Sequence, residues 1–200
     1  MATSQPQLIS ILAPPGSGKG TQCALLTQHF HITHYSVGGI LREEAKNTSS
    51  PWADIIKSNM SSGKIGPKEM TAQMLQTRID QSVKNGVFTF LLDGFPRRID
   101  QAEYFESVVA PLTCVVRLSR RGRADDTPET IKLRIKTFEE TTREVVEKFG
   151  AMGTVVRVRS DGDVGEISKR LREGLEERGV MLEPKGEKDL GLDINGYETV

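Results

Sequence analysis

The chain has 200 residues, with 27 basic and 27 acidic side chains and a formal net charge of zero. That length suits one domain with a substantial buried core. The charge balance excludes a global field that would draw nucleic acid or an anionic membrane, so any affinity for phosphate must be local.

The opening residues Met-Ala-Thr-Ser-Gln-Pro-Gln carry neither the basic nor the apolar region of a secretory leader. No apolar run approaches the ~20 residues that span a bilayer. Leu8–Leu12 is a short apolar run that predicts a buried strand. It stops at a turn rich in Gly and Pro, and a helical pattern opens over Lys19–Phe30. Strand, Gly16-Ser-Gly-Lys-Gly-Thr21 and helix follow one another in the order a phosphate cradle requires. Glycines turn consecutive backbone N–H groups inward, a lysine reaches the outer phosphates, and the helix N-terminus adds partial positive charge. The match to G-x-x-x-x-G-K-[ST] is offset: Ala13 stands at the first glycine position, and Gly20 separates Lys19 from Thr21. The alternative is a plain surface loop.

A shorter strand is predicted near Ile32–Ser36, then helices over Gly39–Ala45 and Trp52–Met60. Another covers Pro67–Val83, where Leu75, Ile79 and Val83 form a stripe of period four. Val87–Leu92 predicts a buried strand that delivers the carboxylate of Asp93 at its C-terminal end. Gly94-Phe-Pro-Arg97 then sets a guanidinium just beyond the sheet, where open α/β sheets bind ligands. Arg42, on the short helix after Ser36, offers a second one. Helical patterns continue over Gln101–Val109, Pro128–Phe149 and Val164–Arg178, and strands over Leu112–Leu118 and Thr154–Val158. Arg117 and the cluster Arg120 to Arg123 precede Asp125 and Asp126, which are placed to pair with them; Arg134 follows on the next helix. Phosphoryl transfer calls for such arginines, because charge spreads over the moving oxygens. Cys23 and Cys114 sit singly in apolar patterns and read as small buried hydrophobes, which fits a reducing, intracellular setting. Strands alternating with helices imply a three-layer α/β domain over residues 7–180, with five parallel strands. Residues 181–200 are polar and read as a mobile tail, although short apolar positions in it could dock on the body.

Together these motifs resemble the nucleoside monophosphate kinases of the adenylate kinase type, within the P-loop NTPase fold. The resemblance is strongest to UMP/CMP kinases of the fungal uridylate kinase sort. It rests on Gly-Ser-Gly-Lys-Gly-Thr-Gln22, His34-Tyr-Ser-x-Gly with Leu41-Arg42, Gly63-Lys-Ile-x-Pro67, Leu91-Leu-Asp-Gly-Phe-Pro-Arg97 with Asp100-Gln101, Gly122-Arg-x-Asp-Asp126 and Val155-Val-Arg-Val158. The resemblance implies ATP as phosphoryl donor with Mg²⁺ near Thr21 and Asp93, held through water. It implies ATP binding by Gly16, Ser17, Gly18, Lys19, Gly20, Thr21, Arg121 and Gly162. Ser36, Arg42, Lys64, Ile65, Gly66, Gly94, Arg97 and Gln101 would bind the acceptor, within a helical part over about 36–66. Lys19, Arg97, Arg123 and Arg134 would act in transfer. Relatives carry a helix and a longer lid after the fourth strand, whereas here the lid shrinks to about 119–126. That shortening could uncover part of the sheet, and Ala13 could strain the cradle if its φ had to be positive. Gly39 stands where relatives carry an acidic residue, which could loosen a helix start. The implied acceptor is UMP or CMP, because Val37 stands where adenylate kinases place threonine. AMP, or a lid-deficient nucleotide binder, is the alternative. A cytoplasmic and nuclear monomer with small-molecule partners, no nucleic acid and no membrane completes the expectation.

Overall fold

The computed structural model describes residues 5–14, 16–119 and 129–186, the side chains of 129–135 and 137 excepted. Within these, strands β1 (Gln7–Leu12), β2 (Thr33–Ser36), β3 (Thr89–Asp93), β4 (Cys114–Ser119) and β5 (Val155–Arg159) form one parallel sheet in the order β2-β3-β1-β4-β5. The helices are α1 (Lys19–His29), α2 (Val37–Glu44), α3 (Ala53–Ser62), α4 (Lys68–Lys84), α5 (Ile99–Val108), α6 (Glu129–Ala151) and α7 (Val164–Glu176). Every strand and helix expected from periodicity is present, with no end moved by more than two residues.

Strand alternation sorts the core into two layers. Leu8 and Leu12, Phe90 and Leu92, and Val115 point to the side covered by α2 to α6. Ile9 and Ile11, Leu91, Cys114, Val116 and Leu118 face α1 and α7. Both faces of the central strands are thus buried, as a sheet built from parallel crossovers requires. The shortened link after β4 does not bare the sheet. Val145, Val146 and Phe149 of α6 close the layer over Val115 and Val155. On the opposite layer, Ile167, Leu171 and Leu175 form one stripe of α7. Gly174 lets that helix approach β5, because a Cβ there would lie 2.4 Å from Val156 Cγ1. Gly174→Ala should therefore push α7 off β5 and destabilise the protein by about 1–3 kcal/mol, read by urea unfolding.

The mobile-tail reading is corrected for its first six residues. Pro184 bridges Phe30 in antiparallel fashion, His31 N–H donates to Glu183 O at 2.9 Å, and Lys185 N–H to His29 O at 2.8 Å. Met181 N–H donates to Gln7 Oε1 at 2.9 Å. Residues 187–200 lie outside the described residues. No helix among the described residues is long and apolar enough to cross a membrane.

Candidate functional site

β1 and β3 are neighbours in register, with Ile11 opposite Asp93. The turns that leave their C-terminal ends therefore emerge side by side. The chain leaves β1 through α1 on one face and β3 through α5 on the other, and a cleft opens where the crossovers part. Buried Ser10 on β1 donates its hydroxyl to Phe95 O at 2.6 Å, and Gly94 N–H donates to Ile11 O at 3.0 Å. The two turns are thus tied at their roots. The Phe95–Pro96 peptide is cis.

The first turn has the shape a phosphate cradle needs. Gly16 and Gly18 hold φ of 75° and 78°, and Gly18 is the N-cap of α1 with open space where a Cβ would project. L side chains rarely take that conformation. Ser17 Oγ is buried without a hydrogen-bond partner, an orphan that a phosphate oxygen or its cation would satisfy. No residue other than glycine has positive φ among the described residues, so Ala13 carries no such strain; it is buried against Cys23 and Leu26.

Lys19 and Thr21 lie in the first turn of α1. Lys19 Nζ contacts Asp93 Oδ1, and His34 Nε2 lies 3.3 Å from Asp93 Oδ2. Burial holds the Lys19 ammonium below the usual lysine range; nearby Cys23 opposes that shift and the Arg97 charge adds to it. Lys19 and Arg97 therefore share one electrostatic environment. Burial, helped by the Lys19 charge, likewise holds His34 below its ordinary value, favouring the neutral ring. Asp93 Oδ1 already pairs with Lys19, so on that side a hard cation that keeps its waters fits at one remove. Thr21, exposed in the first turn of α1, offers a hydroxyl.

On the acceptor side, Arg97 Nε donates to Gly94 O at 3.1 Å, and its backbone N–H to Gln101 Oε1 at 3.1 Å. Gln101 is buried, so its amide is a fixed brace for the turn. Ser36 ends β2 and caps α2 by accepting from Gly39 N–H at 3.4 Å. Gly39 thus starts a capped helix, not a loosened one. Arg42 lies in the last turn of that helix with its guanidinium over Gly38 and Gly39. Lys64, Ile65 and Gly66 form the link from α3 to α4, and a Cβ at Gly66 would meet Met70 Cε at 2.7 Å. Gly162, with φ of 115°, lies between β5 and α7. Just beyond it, the start of α7 is tied to the cradle helix, where Gln22 Nε2 donates to Val164 O at 3.1 Å. Arg121 and Arg123 lie outside the described residues, as does the Arg134 side chain. Asp125 and Asp126 do so too.

Arg117 pairs elsewhere than expected. It donates to Glu139 Oε1 and Oε2 at 2.9 and 3.0 Å and sits 5.1 Å from the Phe138 ring centroid. The cysteines are free and buried as expected, and burial pushes the thiols up to about 11 at Cys23 and about 12 at Cys114. Sequence reasoning missed Gln22 and His34 as site neighbours. A glutamine inside the apolar face of α1 was the available signal for the first.

Comparison with known proteins agrees with this geometry. The adenylate kinase family model matches residues 11–154. The uridylate kinase of Saccharomyces cerevisiae is 36% identical over 195 positions, using 86% of this chain and 96% of that protein. The UMP-CMP kinase of Danio rerio is 32% identical, with 86% and 98% covered. Adenylate kinase 1 of Schistosoma mansoni is 35% identical, with 87% and 95% covered. The yeast alignment is longer than the part of this chain it uses, so the chain is shorter than that relative within the aligned stretch. A parallel five-stranded sheet with a glycine cradle at the end of β1, and a family match across most of the chain, place it in the adenylate kinase family, the nucleoside monophosphate kinases, which act on nucleotides with ATP and a divalent metal.

Proposed function

We propose that this chain transfers the terminal phosphoryl group of ATP to UMP or CMP, with Mg²⁺ as the metal. The observation that supports the reading is that Lys19 reaches Asp93 at the end of β3 while Arg97 lies in the turn that follows Asp93, the two turns being tied by Ser10. The cradle amides and Lys19 hold the donor phosphates, while Arg97, braced by Gln101, holds the acceptor phosphate. In-line placement of two anions is most of what phosphoryl transfer asks of a protein. Mg²⁺ near Thr21 and Asp93 would offset charge on the donor phosphates. Arg123 and Arg134 are assigned to clamp the moving group, and closure of α2 and α3 would exclude water. Both sides of the cleft come from one chain, which suits a monomer.

Val37 supports a pyrimidine acceptor. It opens α2 as a buried, branched, apolar side chain. It offers a base no hydrogen bond and fills space that a larger ring would need. ADP release measured against UMP, CMP, AMP and dCMP tests the assignment. Fastest turnover with UMP or CMP is expected. Preference for AMP would overturn the acceptor, and ATP uptake without turnover would overturn the activity.

Arg97→Ala should lower kcat/KM for the acceptor by about 10- to 100-fold, the worth of a charge-assisted hydrogen bond. KM for ATP should change little. An equal loss on both substrates would place Arg97 elsewhere in the mechanism.

A further inference from the structure

We propose that Cys23, His34 and Asp93 form a binding site for a thiophilic divalent cation, Zn²⁺ in particular, whose occupancy switches off phosphoryl transfer. The three side chains come from α1, β2 and β3. Their ligand atoms, Sγ, a ring nitrogen and a carboxylate oxygen, lie within 4.8 Å of one another. The sheet register brings two of them together: His34 pairs with Leu91 in the β2–β3 ladder, so His34 and Asp93 point to the same face. That face is covered by α1, where buried Cys23 sits one helical turn beyond Lys19.

The donor set decides the class of ion. A thiolate, an imidazole and one carboxylate oxygen suit zinc, whereas Mg²⁺ takes oxygen ligands and keeps its waters. Nε2 and Oδ2 are 3.3 Å apart, close to the ~3.4 Å between two ligands on one tetrahedral zinc with bonds of about 2.1 Å. A modest side-chain rotation brings Sγ to the third corner. The fourth faces the cleft and takes water. As the Sγ–metal bond forms, the Cys23 proton leaves to solvent, one per ion bound. Asp93 Oδ1 stays on the Lys19 side.

Occupancy would do two things to the kinase site. It would lock the first turns of α1 to β2 and β3. It would also add positive charge beside Lys19, where the donor phosphates and their own cation must settle. Loss of turnover follows. The inhibition rests on the kinase reading above, but the binding does not.

Titration of the reduced full-length chain with Co²⁺, an optically visible stand-in for zinc, tests the site without any turnover. One equivalent should bind with a thiolate-to-cobalt charge-transfer band, tetrahedral visible bands and release of one proton. Zn²⁺ should then displace it. Cys23→Ala should lose the charge-transfer band, and His34→Gln should weaken binding; if one variant does not fold, the other carries the test. A band that survives in Cys23→Ala, or cobalt bound without any such band, would overturn the site, and so would failure to bind. In the kinase assay with Mg²⁺ in excess, Zn²⁺ should inhibit the wild type and spare Cys23→Ala, which should keep basal turnover. Equal inhibition of both proteins would overturn the switch.

Discussion

Lys19→Met should lower kcat by about 10²–10³-fold, the usual cost of removing one preorganised donor from developing charge, or about 3–4 kcal/mol of transition-state stabilisation. Methionine preserves the apolar stem and the start of α1, so the change removes charge more than packing. Lys19 is the first residue of its helix, set by the left-handed Gly18, and its Nζ contacts Asp93. That pairing holds the ammonium at the end of β3, and the orphan hydroxyl of Ser17 belongs to the same cradle turn. An arriving phosphate would supply the negative charge that Asp93 now supplies. The variant also leaves Asp93, which is 9% exposed, facing only neutral His34. The unliganded protein should therefore lose about 1–3 kcal/mol of stability as well. Lys19→Arg should not restore turnover, because a planar fork does not replace a compact ammonium at a site built around one. Single-turnover kinetics and a melting curve separate the two effects. Activity within tenfold of wild type would remove Lys19 from the mechanism.

What could be read from the sequence divides by the range of the interactions involved. The five strands and seven helices of the described residues came from local periodicity, and their ends shifted little. The cradle was legible because Gly16, Gly18 and Lys19 are contiguous, and the structure gives both glycines positive φ. The consequences of Ala13 and Gly39 were not legible. Whether a residue needs positive φ, or a helix start has a cap, depends on geometry that composition does not carry. Long-range pairings were hidden for a related reason. Arg117 looked like part of a basic run aimed at nearby aspartates, yet its carboxylate partner is Glu139, 22 residues on. His34 read as one motif letter, and only sheet register puts it against Asp93. The pairing of residues 183–185 with 29–31 likewise needs the C-terminal stretch to return to α1, which no local pattern announces.

Phe149→Ala should cost about 3–5 kcal/mol, the range for deleting a buried aromatic ring, against a total of about 5–15 kcal/mol for an ordinary domain. The reason lies in how this chain covers its sheet. α6 is the one described helix between β4 and β5, and it presents Val145, Val146 and Phe149 to the layer containing Val115 and Val155. Phe149 has no exposed surface. Its loss would leave a cavity bounded by strands that can collapse little, because both are also packed against α7 and its neighbours. The polar ties of α6 cannot compensate. Arg117–Glu139 and Lys148–Glu103 hold the helix to β4 and α5, but Glu139 and Glu103 are more than half exposed, and ion pairs of that kind are worth ~0–1 kcal/mol. Arg117→Ala should therefore cost far less than Phe149→Ala. With about 2–4 °C per kcal/mol for a protein of this size, the phenylalanine variant should melt about 6–20 °C below wild type. Well below its melting point it should keep near-normal KM values, because Phe149 lies near the end of α6 remote from the cradle. A loss under 1 kcal/mol would mean that the layer over β4 and β5 is held by something other than this helix.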